Sequence, residues 1–433
     1  MASSSYHHLI LFLLFFHLIS HCFGAPSFRP KALVLPVSKD PTTLQYATRL
    51  TQRTPPVSVP LILHLGGQFL WVDCDKAYVS STYRPARCNS AQCSLANSNS
   101  NSNSNSCGTC NSPPSPGCNN NTCGLIPENP FINTATGGEL ASDVIGVNST
   151  NGSNPGPIVT VPNFLFSCGP TFLLKGLANK AQGIAGLGRT KISLPSQFSS
   201  TFSFAKTFAI CLSSSSNSNG VVFFGDGPYR FLPRNNDVSS NLIYTPLIKN
   251  PEPSSEYFIK VNAIKVNDKE VPLNKTLLSI DSQGKGGTKF STVNPYTVMH
   301  TSSYNALTKF FVKEVGDVAT VKAMAPFEVC YDAKSFSSTR VGPGVPTIDI
   351  VLQNEEVVWR IFGANSMVAV NDDVICLGFV DGGDNTRTSI VIGGYQLENN
   401  LLQFDLAKSR VGFTGSLLFS QTTCANFNFS SDA

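Results

Sequence analysis

Two turns in this 433-residue chain put a polar side chain where an apolar strand ends. One is Leu61-Ile-Leu-His64-Leu-Gly-Gly67, and the other is Gly287-Thr-Lys-Phe290-Ser291-Thr292. Imidazole and hydroxyl are the groups of nucleophilic hydrolysis, provided that they meet and a carboxylate orients the base. No orienting Asp is evident beside either turn. A third feature is Arg387 in Asp381-Gly-Gly-Asp-Asn-Thr-Arg387-Thr388, the only Arg between Arg360 and Arg410. Its glycines let the segment project, and its planar guanidinium can pair with a carboxylate through two parallel bonds. Cys107-Gly-Thr-Cys110 has the form of a zinc or redox motif. It lacks a second CxxC and partner histidines, so it reads as structural cystine, and no metal or cofactor is expected.

The elements that position these groups belong to a secreted chain. Residues 9–19 form an apolar run of leader length, and the small Gly24 suits the position before a cut. His7 and His8 stand where such leaders carry Lys or Arg. The run is short of the roughly 20 residues that a membrane span needs, no later stretch could span a bilayer, and there is no C-terminal retention signal. A signal peptide over 1–24 and a soluble extracellular protein are therefore expected. Removing it leaves His64 and His300 as the only histidines. Of 13 cysteines, Cys22 leaves with it, and the remaining twelve read as six disulfides. Seven crowd together (Cys74, Cys88, Cys93, Cys107, Cys110, Cys118 and Cys123). Five are dispersed (Cys168, Cys211, Cys330, Cys376 and Cys424). Asn120, Asn148, Asn151, Asn274 and Asn428 head N-x-[ST] triplets, with only one of the neighbouring Asn148 and Asn151 expected to be used.

Only 13% of the residues are charged, against 41% hydrophobic, and the net charge is +4 without a Lys/Arg block, which disfavours a nucleic-acid binder. Short β-branched or aromatic runs at 31–36, 59–63, 69–73, 158–161, 164–167, 221–225 and 257–266 are cut by Gly, Pro, Asn and Ser. That spacing predicts an all-β protein of sandwiches or barrels. One helix is expected after Ser303 as N-cap, with Leu307, Phe310, Phe311 and Val315 on its apolar face. The Asn/Ser alternation at 97–106 should be a solvated loop. A duplication joins the halves: Gly183-Ile-Ala-Gly-Leu-Gly188 lies late in the first, Ile390-Val-Ile-Gly-Gly394 late in the second. Two lobes on one plan, 25–200 and 201–433, with a cleft between them, are the expected architecture.

These motifs, with Trp71-Val72, Leu194-Pro-Ser-Gln197, Phe404-Asp-Leu406 and Arg410-Val-Gly-Phe413, resemble pepsin-type aspartic proteases in order along nearly the whole mature chain. Phe69-Leu-Trp-Val-Asp-Cys-Asp75, Ser80-Ser-Thr-Tyr-Arg-Pro85, Val329-Cys-Tyr331 and Arg387-Thr-Ser-Ile-Val-Ile-Gly-Gly394 bring it closer to a plant subgroup. That group of secreted homologues without protease activity holds the extracellular dermal glycoprotein, the xyloglucan-specific endoglucanase inhibitors, the wheat-type xylanase inhibitors and basic 7S globulin. The resemblance implies a bilobal pepsin-like fold with few short helices. It also suggests the pairings Cys330–Cys376 and Cys211–Cys424.

Aspartic proteolysis needs two carboxylates about 3 Å apart sharing one proton. Seven residues before Trp71, where the family has the Asp of Asp-Thr-Gly, stands His64 in His64-Leu65-Gly66. The second motif reads Ser291-Thr292-Val293. Pro130 takes the place of the flap Tyr, six residues before Thr136. A pepsin-type cleft also lacks the strained nucleophile turn and oxyanion hole that a Ser–His pair needs, so His64 and Ser291 read as structural replacements. The resemblance implies inhibition of secreted microbial glycoside hydrolases by a monomer whose C-lobe loops enter the target's active site. Arg387 is the first candidate contact. A second basic contact is expected near Thr320, where the compared inhibitors carry Arg, with Lys322 two residues on. The alternatives are an extracellular binding or storage glycoprotein like basic 7S globulin, recognising a peptide in the old cleft, and a residual enzyme.

Overall fold

Both turns fold into the same local architecture. In the computed structural model, which describes residues 28–98 and 107–430, the strand Val57–His64 runs parallel to Gly183–Gly186, with His64 level with Gly186. Gly183–Gly186 is antiparallel to Trp71–Asp73, which runs parallel to the end of Pro155–Gly169. The second half repeats the order. Thr288–Phe290 is parallel to Ile390–Ile392, Ile390–Ile392 is antiparallel to Thr297–Met299, and Thr297–Met299 is parallel to Phe379–Asp381.

Glycine is required at matching points of the two copies. A Cβ on Gly186 would stand 2.5 Å from Phe69 O, and one on Gly393 would stand 2.2 Å from Tyr296 C. Phe69 and Tyr296 each lie five residues beyond the turn residue, His64 or Ser291. The Gly motifs are therefore sites of backbone crossing, where any side chain would push the turn out of place.

Strands from both ends of the chain close the base. Leu33–Lys39 pairs with Gly220–Phe224, then come Thr207–Cys211, Leu401–Asp405, Arg410–Phe413 and Ile243–Ile248, all antiparallel. Stacked Phe208 and Phe404, 4.8 Å apart, and Tyr257, 4.6 Å from Phe404, fill the core beneath this sheet. Both lobes lie within one compact unit that begins at Lys31. The expected leader at 1–24 and the loop residues 99–106 lie outside the described residues.

Some sequence boundaries need correction. The runs at 158–161 and 164–167 are one strand, Pro155–Gly169, because its hairpin partner Gly138–Thr150 absorbs the irregularity as register shifts. The run at 257–266 is two strands, because the chain changes sheets: Phe258–Ile259 pairs with Thr288–Phe290, and Ala263–Val266 pairs with Ile348–Val351. The helix is Thr301–Val315, capped by His300 instead of Ser303. The imidazole does the capping, since Nδ1 accepts the Ser302 N–H at 3.2 Å. Ser303 is buried one turn inside, and Leu307 and Phe311 form the deeply buried stripe.

Candidate functional site: the interlobe cleft and the C-lobe loop

The paired turns meet at the floor of a cleft of about 1010 Å³. His64 and Ser291 both line it. They are not hydrogen-bonded to each other: Ser291 Oγ donates to Asn294 Oδ1 at 2.9 Å and accepts the Val293 N–H at 3.1 Å. The polar link between the turns is made one residue on. Thr292 Oγ1 accepts the Leu65 N–H at 3.0 Å and donates to Leu63 O at 2.8 Å. A one-sided turn-to-turn link thus joins the lobes, while neither turn residue is a carboxylate.

The chemistry of the floor follows from burial. His64 is 8% exposed, and loss of hydration, with Lys289 adding to it against Glu256, holds its pKa at about 4. The ring is neutral over ordinary extracellular pH. Around it stand groups that sequence reasoning did not single out. Lys289 Nζ contacts Glu256 Oε1 at 2.6 Å. Antiparallel pairing of Phe258 with Lys289 brings this pair together across a sheet, so no local spacing announces it. Glu128 shares the cleft wall, and its main-chain oxygen accepts the Trp71 indole N–H at 2.9 Å. Burial and the neighbouring Glu256 push its carboxyl pKa up. Pro130 lines the same wall.

Arg387 lies on the C-lobe surface, exposed, with no side-chain hydrogen bond or ion pair among the described residues. Its loop is held at both ends. Thr301 Oγ1 donates to Asp381 Oδ1 at 2.7 Å, the Thr301 N–H reaches Gly383 O at 3.3 Å, and the Gly286 N–H donates to Arg387 O at 2.8 Å. That last bond continues the parallel register of Thr288 with Ile390, and it brings up a residue the sequence did not flag. Lys285 is exposed and also without a side-chain partner, one residue from the bond. Thr320 and Lys322 are exposed as well, with Thr320 in the strand Thr320–Val321 paired to Cys330–Asp332. The segment after them returns to the same helix, where burial and then the neighbouring Glu328 and Asp381 carboxylates push the Tyr304 hydroxyl pKa up. Loop and segment therefore flank one helix start, although no hydrogen bond or ion pair joins Arg387 to Thr320 or Lys322.

The twelve cysteines form Cys74–Cys168, Cys88–Cys107, Cys93–Cys123, Cys110–Cys118, Cys211–Cys424 and Cys330–Cys376. Cys107 and Cys110 thus join different bridges. Of the sequons, Asn120, Asn151 and Asn274 are exposed, Asn428 is partly covered, and Asn148 donates its side-chain amide to Gly156 O at 3.1 Å. Among the described residues, no cluster of His, Cys, Asp and Glu has the makings of a metal site.

Comparison with known proteins covers both lobes. The profile of the xylanase inhibitor N-terminal family matches residues 46–226, and that of the xylanase inhibitor C-terminal family matches 256–415. The chain is 63% identical to a Nicotiana benthamiana protein named probable aspartic proteinase GIP2, over all of both chains. It is 41% identical to basic 7S globulin of Glycine max, covering 92% of each. It superposes on the crystal structure of edgp with a TM-score of 0.91 at 60% identity, over 94% of this chain and 100% of that one.

Proposed function

Since the chain belongs to the xylanase-inhibitor family of pepsin-like proteins, we propose that it is a secreted inhibitor of microbial cell-wall-degrading glycoside hydrolases, xyloglucan-specific endoglucanases or xylanases. The observation that carries this reading is Arg387: an exposed, unpartnered guanidinium on a loop pinned at both ends. Glycoside hydrolases flank the scissile bond with two carboxyl groups and develop positive charge between them. A guanidinium delivered between those groups mimics that charge and can bind a carboxylate through two bonds. Pinning matters because a loop already held in its bound shape loses little entropy on association. Lys285 beside the loop, and Lys322 with Thr320 on the neighbouring segment, extend the contact. The net charge of +4 would speed the approach to an acidic enzyme.

The same reading makes the protein inactive in peptide hydrolysis. His64 and Ser291 cannot share a proton as a carboxyl pair does, and a neutral imidazole without an orienting carboxylate or a bond to Ser291 does not activate a hydroxyl. A binary complex with the hydrolase, formed by a monomer without cofactor, is the functional unit.

The test is hydrolysis of xyloglucan and of xylan by secreted fungal enzymes, with and without the purified mature protein, after capture of targets from culture filtrate on the immobilised protein. Saturable inhibition of a captured glycanase supports the reading. Unimpeded hydrolysis by every captured enzyme, or pepstatin-sensitive cleavage of a denatured protein, overturns it.

A further inference from the structure

The floor of the cleft carries polar groups that the fold leaves unsatisfied. His64 is 8% exposed and lines the cleft, yet neither ring nitrogen has a hydrogen-bond partner among the described residues. Held neutral by burial, the ring offers one N–H donor and one bare nitrogen acceptor. Glu128 lines the same cleft and also a small recess that it shares with His64 and Trp71. Its carboxylate is half-buried and has neither hydrogen bond nor ion pair, while its backbone is anchored by the Trp71 indole. Glu256 is already neutralised by Lys289. It stands close by: Glu256 Cγ and His64 Nε2 lie 2.8 and 3.5 Å from one point, where a Cβ on Gly66 would be.

A carboxylate taken partly out of water without a counter-ion is costly, and so is a buried acceptor without a donor. One cationic N–H group relieves both. We propose that the cleft floor between Glu128 and His64 binds an alkylammonium or guanidinium group, carried by a free amine or by a Lys or Arg side chain of a peptide. The carboxylate of Glu128 supplies the charge and the bare His64 nitrogen takes a second N–H. The lining fits this ligand better than a sugar, for the main cleft has no Trp, Tyr or Phe on which a ring could stack, and Trp71 and Phe69 in the recess are buried. Arg189, Lys249 and Lys289 also line the cleft and repel positive charge, so a ligand with a single cation is the match. This site lies apart from the Arg387 loop and does not rest on the glycanase reading.

Calorimetric titration of the mature protein near neutral pH tests it, with three probes: butylammonium, N-acetyl-lysine methylamide and the neutral N-acetyl-norleucine methylamide. Saturable binding of the lysine probe and none of the norleucine probe is expected. If butylammonium also binds, a free amine suffices; if only the lysine probe binds, the natural source is a peptide. Glu128→Gln should weaken amine binding by about tenfold or more, His64→Phe should weaken it less, and Arg387→Ala should leave it unchanged. The wild-type comparison stands on its own if Glu128→Gln misfolds. Equal binding of lysine and norleucine probes, no binding of either amine, or full affinity in a folded Glu128→Gln variant would overturn the proposal.

Discussion

Thr292 Oγ1 spans the lobe boundary to the backbone of Leu65, accepting its N–H at 3.0 Å while donating to Leu63 O at 2.8 Å. The opposite turn has no such contact to give, since a hydroxyl is absent from Leu65, which is fully buried. One half of a turn-to-turn clasp is therefore present between two turns whose key residues are not carboxylates, and it helps to hold the lobes together. The proposed inhibitor role calls for a rigid frame, not a proton shuttle.

Replacing Thr292 with Val keeps the shape and removes both bonds. Leu65 N–H and Leu63 O would be left buried and unpaired, so a loss of about 1–3 kcal/mol is expected. A lowered thermal midpoint, with inhibition per folded molecule unchanged, is the result to look for.

His64 makes the frame sensitive to acid in a defined window. Its ordinary pKa is 6.5 and its folded value about 4. As pH falls below 6.5 the unfolded chain takes up a proton that the folded chain refuses until about 4, so stability is lost across that interval and levels off below it. The full contribution is about 3 kcal/mol. Denaturant unfolding of His64→Asn at several pH values should show a flatter acid limb than the parent. Parallel limbs would contradict it.

Much of the architecture is legible in the residues. The motifs around Gly186 and Gly393 mark crossings that only glycine permits, and that is why the duplication survives in the sequence. The helix start is less legible, because Thr301, Ser302 and Ser303 all resemble caps and the choice falls to the His300 imidazole. The cleft charges are hidden for another reason. Glu256 and Lys289 meet only through strand pairing, and Glu128 joins them from the other lobe. Lys285 is equally silent until the Gly286 to Arg387 bond places it. Among the clustered cysteines, each bridge depends on how three short segments fold back, which spacing does not encode.

Glycan occupancy should follow the free side-chain amide. Asn148 uses its amide on Gly156 O inside a paired strand, whereas Asn151 and Asn274 are exposed and use only their side-chain oxygens as acceptors. Peptide mapping after enzymatic deglycosylation is expected to find Asn151 and Asn274 modified and Asn148 bare. Glycan on Asn148 with Asn151 empty would reverse that order.

Lys285 should act as a rim charge. Lys285→Ala is expected to slow association with the target glycanase by a few-fold and to reduce its dependence on salt, leaving dissociation nearly unchanged. Stopped-flow or surface-binding kinetics at two ionic strengths separates these effects.

The inhibition constant of Arg387→Ala against a captured glycanase tests the central claim most directly. Truncating a charge inserted between buried carboxylates costs roughly 2–5 kcal/mol, or about 30-fold to several-thousand-fold in affinity. The account predicts a loss in that range with the fold intact, and only partial recovery in Arg387→Lys, which lacks the planar fork. An Arg387→Ala protein that inhibits as well as its parent would show that another surface carries the function.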